Sequence, residues 1–406
     1  MAIVKNKKVL IDVVLNITAA AVPIAILQLF IYPHVAPIVG SDEYGLMVTI
    51  YSVWIMISNS LGNVLNNIKL LTYSDYQKNN EEGDIALLLR QWIGLSSVIV
   101  FFVIWVYCGD YSFAHVVVGT VVAALILLKA YLEVGFRIKL NYYSILINNL
   151  LLGLGYGIGY VLFTFTGIWE LIFLIGYGLS CIFCAIKTDL LKEKAQRTSM
   201  HEKVKKDSYS LVISAIITNL INYADKLVLY PLMGGTAVSI YYTATIIGKI
   251  TGMITGPINS VILSYISRWD NSKINFFSKV IVIGCFVASF GYIATLLLAK
   301  PVIGYLFPQW LDEVMEIIPL TTITIMLNVF TSILQPFVLK YCNIQWQIII
   351  SALGSGTYFI FALLFWRIIG LKGFCIGTII GVAVKLIVMV FVYYSNAKRY
   401  ISGTIE

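Results

Sequence analysis

Apolar runs of about 20 residues recur along the chain with only short polar breaks between them, and each is long enough to cross a bilayer as a helix. The pattern predicts spans near 9–32, 45–68, 87–108, 112–133, 143–165 and 168–189. A charged stretch from Lys192 to Lys206 then intervenes. A second series follows near 208–232, 236–266, 277–305, 314–339, 344–366 and 371–395. The chain therefore divides on paper into a six-helix lobe at 1–190, a linker at 191–207 and a second six-helix lobe at 208–406. No loop is long enough to fold as a soluble domain. Lys5, Lys7 and Lys8 precede the first apolar run, which is long and has no A-x-A cleavage site after it, so it reads as an uncleaved first helix.

Composition agrees with the pattern. Apolar residues make up 59% of the chain and charged ones 12%, against roughly 25% charged in soluble domains. Such a sequence cannot supply a polar coat, which excludes disorder, a secreted disulfide scaffold and a cytosolic enzyme and leaves an integral membrane protein. The net charge is +8. If the amino terminus is cytoplasmic, 22 of the 28 Lys/Arg fall inside and only Lys300, Arg367 and Lys372 outside, with Lys226, Lys249 and Lys385 within spans. This positive-inside bias predicts a multi-pass protein with both termini cytoplasmic. The six cysteines sit in apolar segments and read as small buried residues.

A weak internal repeat appears at a shift of 194 residues. Pro37-Ile38-Val39-Gly40 aligns with Pro231-Leu232-Met233-Gly234, and Gly62 with Gly256. Six spans per half is an even number, so the halves share one orientation as a parallel repeat about the membrane normal. The predicted fold is an all-α polytopic membrane protein of twelve transmembrane helices, in two six-helix bundles with a central cavity.

Charged and amide side chains inside a bilayer cost roughly 2.5–3.5 kcal/mol each for ions, which makes them candidates for function. Lys249 lies mid-span with no acidic residue within a turn, on a stripe with Tyr242, Thr245, Gly252, Gly256 and Asn259. That face suits a hydrated cavity; a carboxylate from another span, or snorkelling, would serve the lysine as well. Asn219, Asn222, Tyr223, Lys226 and Tyr230 share a face in the seventh span, while Asp225 is expected to point away from it as half of an ion pair or a coupling group. Ser52, Asn59, Asn63 and Asn66 form another stripe, fit for sugar hydroxyls or for helix–helix hydrogen bonds. Lys385 faces the cavity or a carboxylate, and Asp12 lies near a cytoplasmic helix end.

Glycines at 248/252/256, 373/377/381, 153/157 and 155/159 have the small-xxx-small spacing of close helix contacts. Pro23, Pro257, Pro319 and Pro336 are expected to kink their spans. His34, His115 and His201 are dispersed, so no histidine-based metal or nucleophile site is indicated, and Cys181-x-x-Cys184 lies inside an apolar helix. These features point to a transporter, not an enzyme, with no cofactor and no nucleic-acid partner.

Several motifs together resemble the polysaccharide-repeat-unit transporters, within the superfamily that also holds the multidrug and toxin exporters. They are the turn Gly40-Ser-Asp-Glu-Tyr44-Gly45; Phe136-Arg137 leading to Tyr142 and Tyr143; Asn222-Tyr-Ala-Asp225-Lys226 followed by Gly234 and Ile240-Tyr241-Tyr242-Thr243-Ala244; and Ile369-Gly370-Leu-Lys-Gly373. Ser239 departs from the family's glycine. The major-facilitator signature between spans two and three is absent, replaced by the acidic run Lys78 to Asp84. The resemblance implies an O-antigen or capsule flippase of the bacterial inner membrane, moving a polyprenyl-diphosphate-linked oligosaccharide to the periplasmic leaflet by alternating access. A polysaccharide polymerase and a chain-length regulator would be its partners in assembly, and proton or sodium coupling is left open. Lys249, Lys226 and Lys385 would offset the diphosphate charge, and the asparagine faces would replace sugar hydration. A cation-coupled drug exporter and a membrane scaffold without transport are the competing readings.

Overall fold

The computed structural model describes residues 2–79, 81–109, 113–266, 276–342 and 345–401; the side chains at 2–13, 108, 218, 221–222, 249–266, 276, 339–340, 345 and 397–401 also lie outside the described set. Every regular element among the described residues is helical: α1 (Ala2–Ile26), α2 (Tyr32–Val39), α3 (Ser41–Trp54), α4 (Ser60–Asn79), α5 (Asp84–Cys108), α6 (Phe113–Leu132), α7 (Val134–Ile138), α8 (Tyr142–Thr166), α9 (Glu170–Lys187), α10 (His201–Ile266), α11 (Phe276–Leu306), α12 (Leu311–Tyr341) and α13 (Gln345–Ile401). Helices α10 and α13 each contain a break, at Gly234 and at Ile369-Gly370. Among the described residues, nine helical segments are long and apolar enough to cross a membrane, and the chain is a multi-pass membrane protein.

Two compact units divide at Val238/Ser239. The first half of α10 thus belongs with the amino-terminal helices, beyond the lobe boundary expected at 190, and α10 already begins at His201, so 201–207 is helix instead of linker. Polar contacts account for this grouping: Asn219 Nδ2 donates to Ser60 Oγ (2.7 Å), Tyr107 Oη to the Leu227 carbonyl (3.0 Å), and the rings of Trp92 and Tyr209 meet edge-on.

Unit 1 is built around aromatic packing and close glycine contacts. Trp54, Trp169, Phe173 and Tyr156 are all buried, with Trp54 and Phe173 centred 5.3 Å apart and Tyr51 stacked on Phe173 at 5.2 Å. Such pairs contribute about 0.5–1.5 kcal/mol each beyond their buried area. Helices α8 and α9 touch backbone to backbone where Gly155 meets Gly176 and Gly159 meets Ile172. The expected 155/159 stripe is therefore a packing seam, whereas Gly157 faces open space. In unit 2, Gly373, Gly377 and Gly381 lie against Phe365, Ala362 and Tyr358, folding α13 into a tight hairpin about its break. Association in lipid rests on this kind of contact, because lipid tails are as apolar as leucine. Phe277 stacked on Tyr393 at 3.6 Å, with Phe337, Leu334 and Met389, forms the core at one end of α11–α13.

Two π-helical turns interrupt the first spans. Leu27–Ile31 follows Pro23, and Ile55–Asn59 separates α3 from α4. One inserted residue rotates everything beyond it by about 100° relative to a continuous helix.

Candidate functional site

The π-turn at Ile55–Asn59 breaks the predicted asparagine stripe. Ser52 is buried and donates to its own helix at Val48. Asn66 is fully buried, giving its amide to the Ala130 carbonyl (2.9 Å) and accepting from Arg137 (3.4 Å), so it joins helices. Asn59 and Asn63 are half-buried and make no side-chain hydrogen bond among the described residues. Asn219 comes beside them through Ser60. Of the predicted amides, Asn219 thus meets Ser60, the residue after Asn59 and three before Asn63.

Asp225 does not point away from Lys226. Its carboxylate accepts from Lys226 Nζ at 2.8 and 3.1 Å, and Lys226, 3% exposed, also lies over the Tyr223 ring at 5.6 Å. The lysine stem is long enough to fold back to its neighbour, which neutralises both groups in place. Asn222, Lys249, Asn259 and Asp12, also expected at the site, lie outside the described side chains.

Lys385 behaves differently. It sits midway along the second half of α13, one turn beyond the glycine seam, with its Cβ and Cγ over the bare backbone of Gly354. Among the described residues it has no ion-pair or hydrogen-bond partner. The sequence explains why. Between 239 and 406 the only carboxylate side chains are Asp270, Asp312, Glu313, Glu316 and Glu406. Glu316 already accepts from Lys372 at 2.9 Å, and Lys385 lies 13 residues beyond Lys372 on α13, roughly 20 Å along the helix. The polar groups closer to it along α13 are hydroxyls, such as Thr378, which meets Thr324 at 2.9 Å.

Unit 1 also contains charged pairs that sequence reasoning did not single out. Lys129 meets Glu133 at 2.7 Å and Asn149 at 3.0 Å, while Asn148 connects Glu133 to Ser180. The i,i+4 spacing of Lys129 and Glu133 inside a span was the available signal. At one end of α6 and α9, His115 Nδ1 lies 2.9 and 3.0 Å from the two oxygens of buried Glu170. Those residues are 55 apart, which leaves no local pattern to detect. At the other end, Asp84 accepts from Tyr76 (2.7 Å), from the backbone and hydroxyl of Thr198, and from His201 (2.9 Å). With Lys69–Glu193 at 2.6 Å and Gln196 on the Glu82 carbonyl, Asp84 straps the segment 188–200 across α4 and α5. A cavity of about 310 Å³ lies under the strap, lined by Lys69, Tyr73, Glu81, Lys139, Asp189 and Glu193, and contains none of the predicted substrate residues. No cluster of three metal-ligating side chains occurs among the described residues.

The two repeat-related turns meet. Gly40 (φ 82°, ψ 173°) and Gly234 (φ 78°, ψ 179°) adopt the same glycine-only conformation 194 residues apart. Thr236 donates its N–H (2.9 Å) and hydroxyl (2.8 Å) to Asp42, its repeat equivalent. A side chain at Gly45 would strike the backbone of Gly235, and one at Gly235 that of Asp42.

No family model matches the sequence, and no curated protein does. Solved structures do. The fold is that of a multidrug resistance MATE family transporter of the MOP superfamily in its inward-facing conformation (TM-score 0.67, 14% identity, 96% of this chain and 98% of that one). It is equally that of the lipid II flippase MurJ in an inward closed conformation (TM-score 0.66, 14% identity, 96% and 87%). The Vibrio cholerae MATE transporter VcmN in its bent form matches at TM-score 0.60 with 13% identity over 97% of both chains.

Proposed function

We propose that the chain is a flippase for polyprenyl-diphosphate-linked oligosaccharide repeat units of O-antigen or capsule, working by alternating access from the cytoplasmic to the periplasmic leaflet. The observation that carries this reading is Lys385, a lysine in mid-span with no described counter-charge. An ammonium in that setting is stabilised by an anion brought by the substrate, and a diphosphate head supplies it. Lys249, equally remote from carboxylates in sequence, would act with Lys385, and Asn59, Asn63, Asn219, Asn222 and Asn259 would hydrogen-bond the sugars. Lys226 has its charge compensated by Asp225 and contributes less. Likeness to MurJ, a lipid II flippase, supports a lipid-linked substrate.

The same reading includes twelve spans in two lobes, counting α10 and α13 twice at their breaks. The matching turns at Gly40 and Gly234 support the repeat. The Lys/Arg bias supports an inner-membrane protein with cytoplasmic termini.

A cation-coupled multidrug exporter is the second reading, favoured by the likeness to MATE transporters at equal TM-score. A cationic drug needs an acidic site, whereas Lys385, unpaired among the described residues, is basic. Expression in a strain lacking its own repeat-unit flippase separates the two. Restored surface polysaccharide, lost again in Lys249→Ala and Lys385→Ala at unchanged protein level, is the expected result. Drug resistance without restored polysaccharide would reverse the order.

A further inference from the structure

Helices α11 and α12 are both 31 residues long and apolar, yet what they leave exposed differs. Through the middle of α11 the exposed side chains are mainly hydrocarbon, among them Val282, Phe286, Phe290 and Ile293, as suits a face turned to lipid. No large hydrophobic side chain of α12 is exposed among the described residues. Its exposed residues are Asp312, Glu313 and Glu316 in the first two turns, then Asn328 and Gln335 further along the span. These two amides share a face with Thr324 and Thr331, at the i, i+4, i+7, i+11 spacing of one helical stripe. Neither makes a side-chain hydrogen bond among the described residues. An amide carries two donors and an acceptor, which are costly to leave in hydrocarbon, so this face of α12 fits water where that of α11 fits lipid.

Lys385 stands beside this stripe. The Thr324 and Thr378 hydroxyls meet at 2.9 Å, and further along the same two helices the Tyr341 and Tyr393 rings meet at 6.0 Å. Both contacts join residues at nearly the same sequence separation, so α12 and the second half of α13 run side by side in one direction. In that register Lys385 is level with Thr331 to Ile333, about one turn, or roughly 5 Å, from Asn328 on one side and Gln335 on the other. Lys385 follows Thr378 by seven residues, two turns, which keeps it on the edge of α13 that meets α12. On the opposite flank the second half of α10 lies against α12, where Thr321 donates to the Ala244 carbonyl (3.5 Å) and Ile325 covers Gly248. The stripe therefore runs between two neighbouring helices of unit 2.

We propose that the face of α12 bearing Thr324, Asn328, Thr331 and Gln335 is a carbohydrate subsite, reading the sugar joined directly to the diphosphate that Lys385 holds. Sugar hydroxyls donate and accept hydrogen bonds at once; an amide answers both, whereas an ammonium only donates. A head anchored at Lys385 brings the first sugar, one oxygen away from the phosphorus, within a turn of either amide, and leaves the distal sugars beyond them. The inference rests on the flippase reading and deepens it, by naming the part of the substrate that is recognised and the groups that recognise it.

Two measurements in lipid nanodiscs test this, the first of them blind to substrate. Asn328→Cys and Gln335→Cys are treated with a charged methanethiosulfonate reagent, which needs water to reach a thiol, and labelled sites are found by mass spectrometry. Native Cys285, exposed on α11 between Val282 and Phe286, is the internal control. Both new cysteines should label while Cys285 does not; resistance of both overturns the hydrated face and the subsite with it. The second measurement compares binding of farnesyl diphosphate with binding of its conjugates to glucose, galactose and N-acetylglucosamine. The wild type should bind at least one conjugate about tenfold more tightly than the bare diphosphate, the increment of one or two net hydrogen bonds. Asn328→Leu/Gln335→Leu should lose that preference yet bind the bare diphosphate as the wild type does, and Asn328→Leu alone should lose part of it. Lys385→Met should weaken all four probes. No preference in the wild type, or a preference that survives both leucines, overturns the subsite. A wild type that binds none of the four probes although both cysteines label sinks the flippase reading and leaves the hydrated face standing.

Discussion

Residues 1–238 carry 17 Lys/Arg against 15 Asp/Glu, and residues 239–406 carry 11 against 5. In unit 1 the intramembrane charges described above meet partners: Lys129 with Glu133, His115 with Glu170, Lys226 with Asp225. In unit 2 the sole described ion pair, Lys372–Glu316, is at least half exposed on both sides, and Lys385 is left with none. A paired charge inside a membrane is part of the scaffold, because its energy is already balanced within the protein. An unpaired one waits for something that is not protein. The contrast supports a structural part for the paired charges of unit 1 and the recognition role proposed for Lys385 in unit 2.

The sharpest way to break this contrast is to remove one partner from each unit. Lys129→Ala strands the Glu133 carboxylate among buried amides, and should destabilise the protein by about 3–5 kcal/mol, read as a lowered thermal midpoint in detergent. The double variant Lys129→Leu/Glu133→Leu removes both charges and should recover most of that loss. Equal losses in single and double variants would mean the pair is not compensated as described.

Lys385→Met is the counterpart in unit 2. No carboxylate is stranded, so stability should stay level or rise by about 1 kcal/mol, while flipping of the lipid-linked oligosaccharide falls at least tenfold. Lys385→Arg keeps the charge and should keep part of the rate. A destabilised Lys385→Met protein would reveal a hidden partner and place this lysine with those of unit 1.

Next in size comes a comparison across the repeat. Gly40 and Gly234 share a backbone conformation open to glycine alone, and a Cβ at either meets nothing within 4 Å. Backbone strain is then the sole cost of Gly40→Ala or Gly234→Ala, about 1–3 kcal/mol and the same at both sites. Unequal losses would show that the two turns are not equivalent.

Much of this was legible in advance, for reasons that differ from place to place. Apolar runs and the glycine spacing at 373/377/381 are one-dimensional patterns, and the structure contains both. The 194-residue shift exposed the Gly40 and Gly234 turns because a glycine-only conformation leaves few residue choices. The π-turn that interrupts the asparagine stripe leaves no mark in a hydrophobic pattern, while Asn66 makes the helix–helix hydrogen bond that was one of the stripe's two readings. Asp225 is in an ion pair, as one of its readings had it, but with Lys226 on its own helix, because helical-wheel reasoning fixes where a Cβ points and not where a lysine stem can bend. His115–Glu170 and Asp84–His201 were illegible because their partners are 55 and 117 residues apart.

The smallest effect is expected from a pair that looks much like the others on paper. Asp189 and Lys192 sit on the strap 2.7 Å apart, with both side chains 79% exposed. Lys192, by hydrogen bond and charge, holds the Asp189 carboxyl below its ordinary value of 3.8, and Asp189 in turn raises Lys192. For a carboxyl depressed in the folded state, the stabilisation is complete above the unfolded value and is lost as pH falls through the folded one. Acidifying from pH 7 to 5 should therefore leave this contribution intact, and only below about pH 3.8 should it fade. Water and salt screen so exposed a pair, and its ends must be ordered to meet, so thermal unfolding of Lys192→Ala at pH 7 should superimpose on the wild type. A clear drop in the midpoint would mean that the strap depends on this contact, and that the distinction between buried and exposed pairs within unit 1 is drawn in the wrong place.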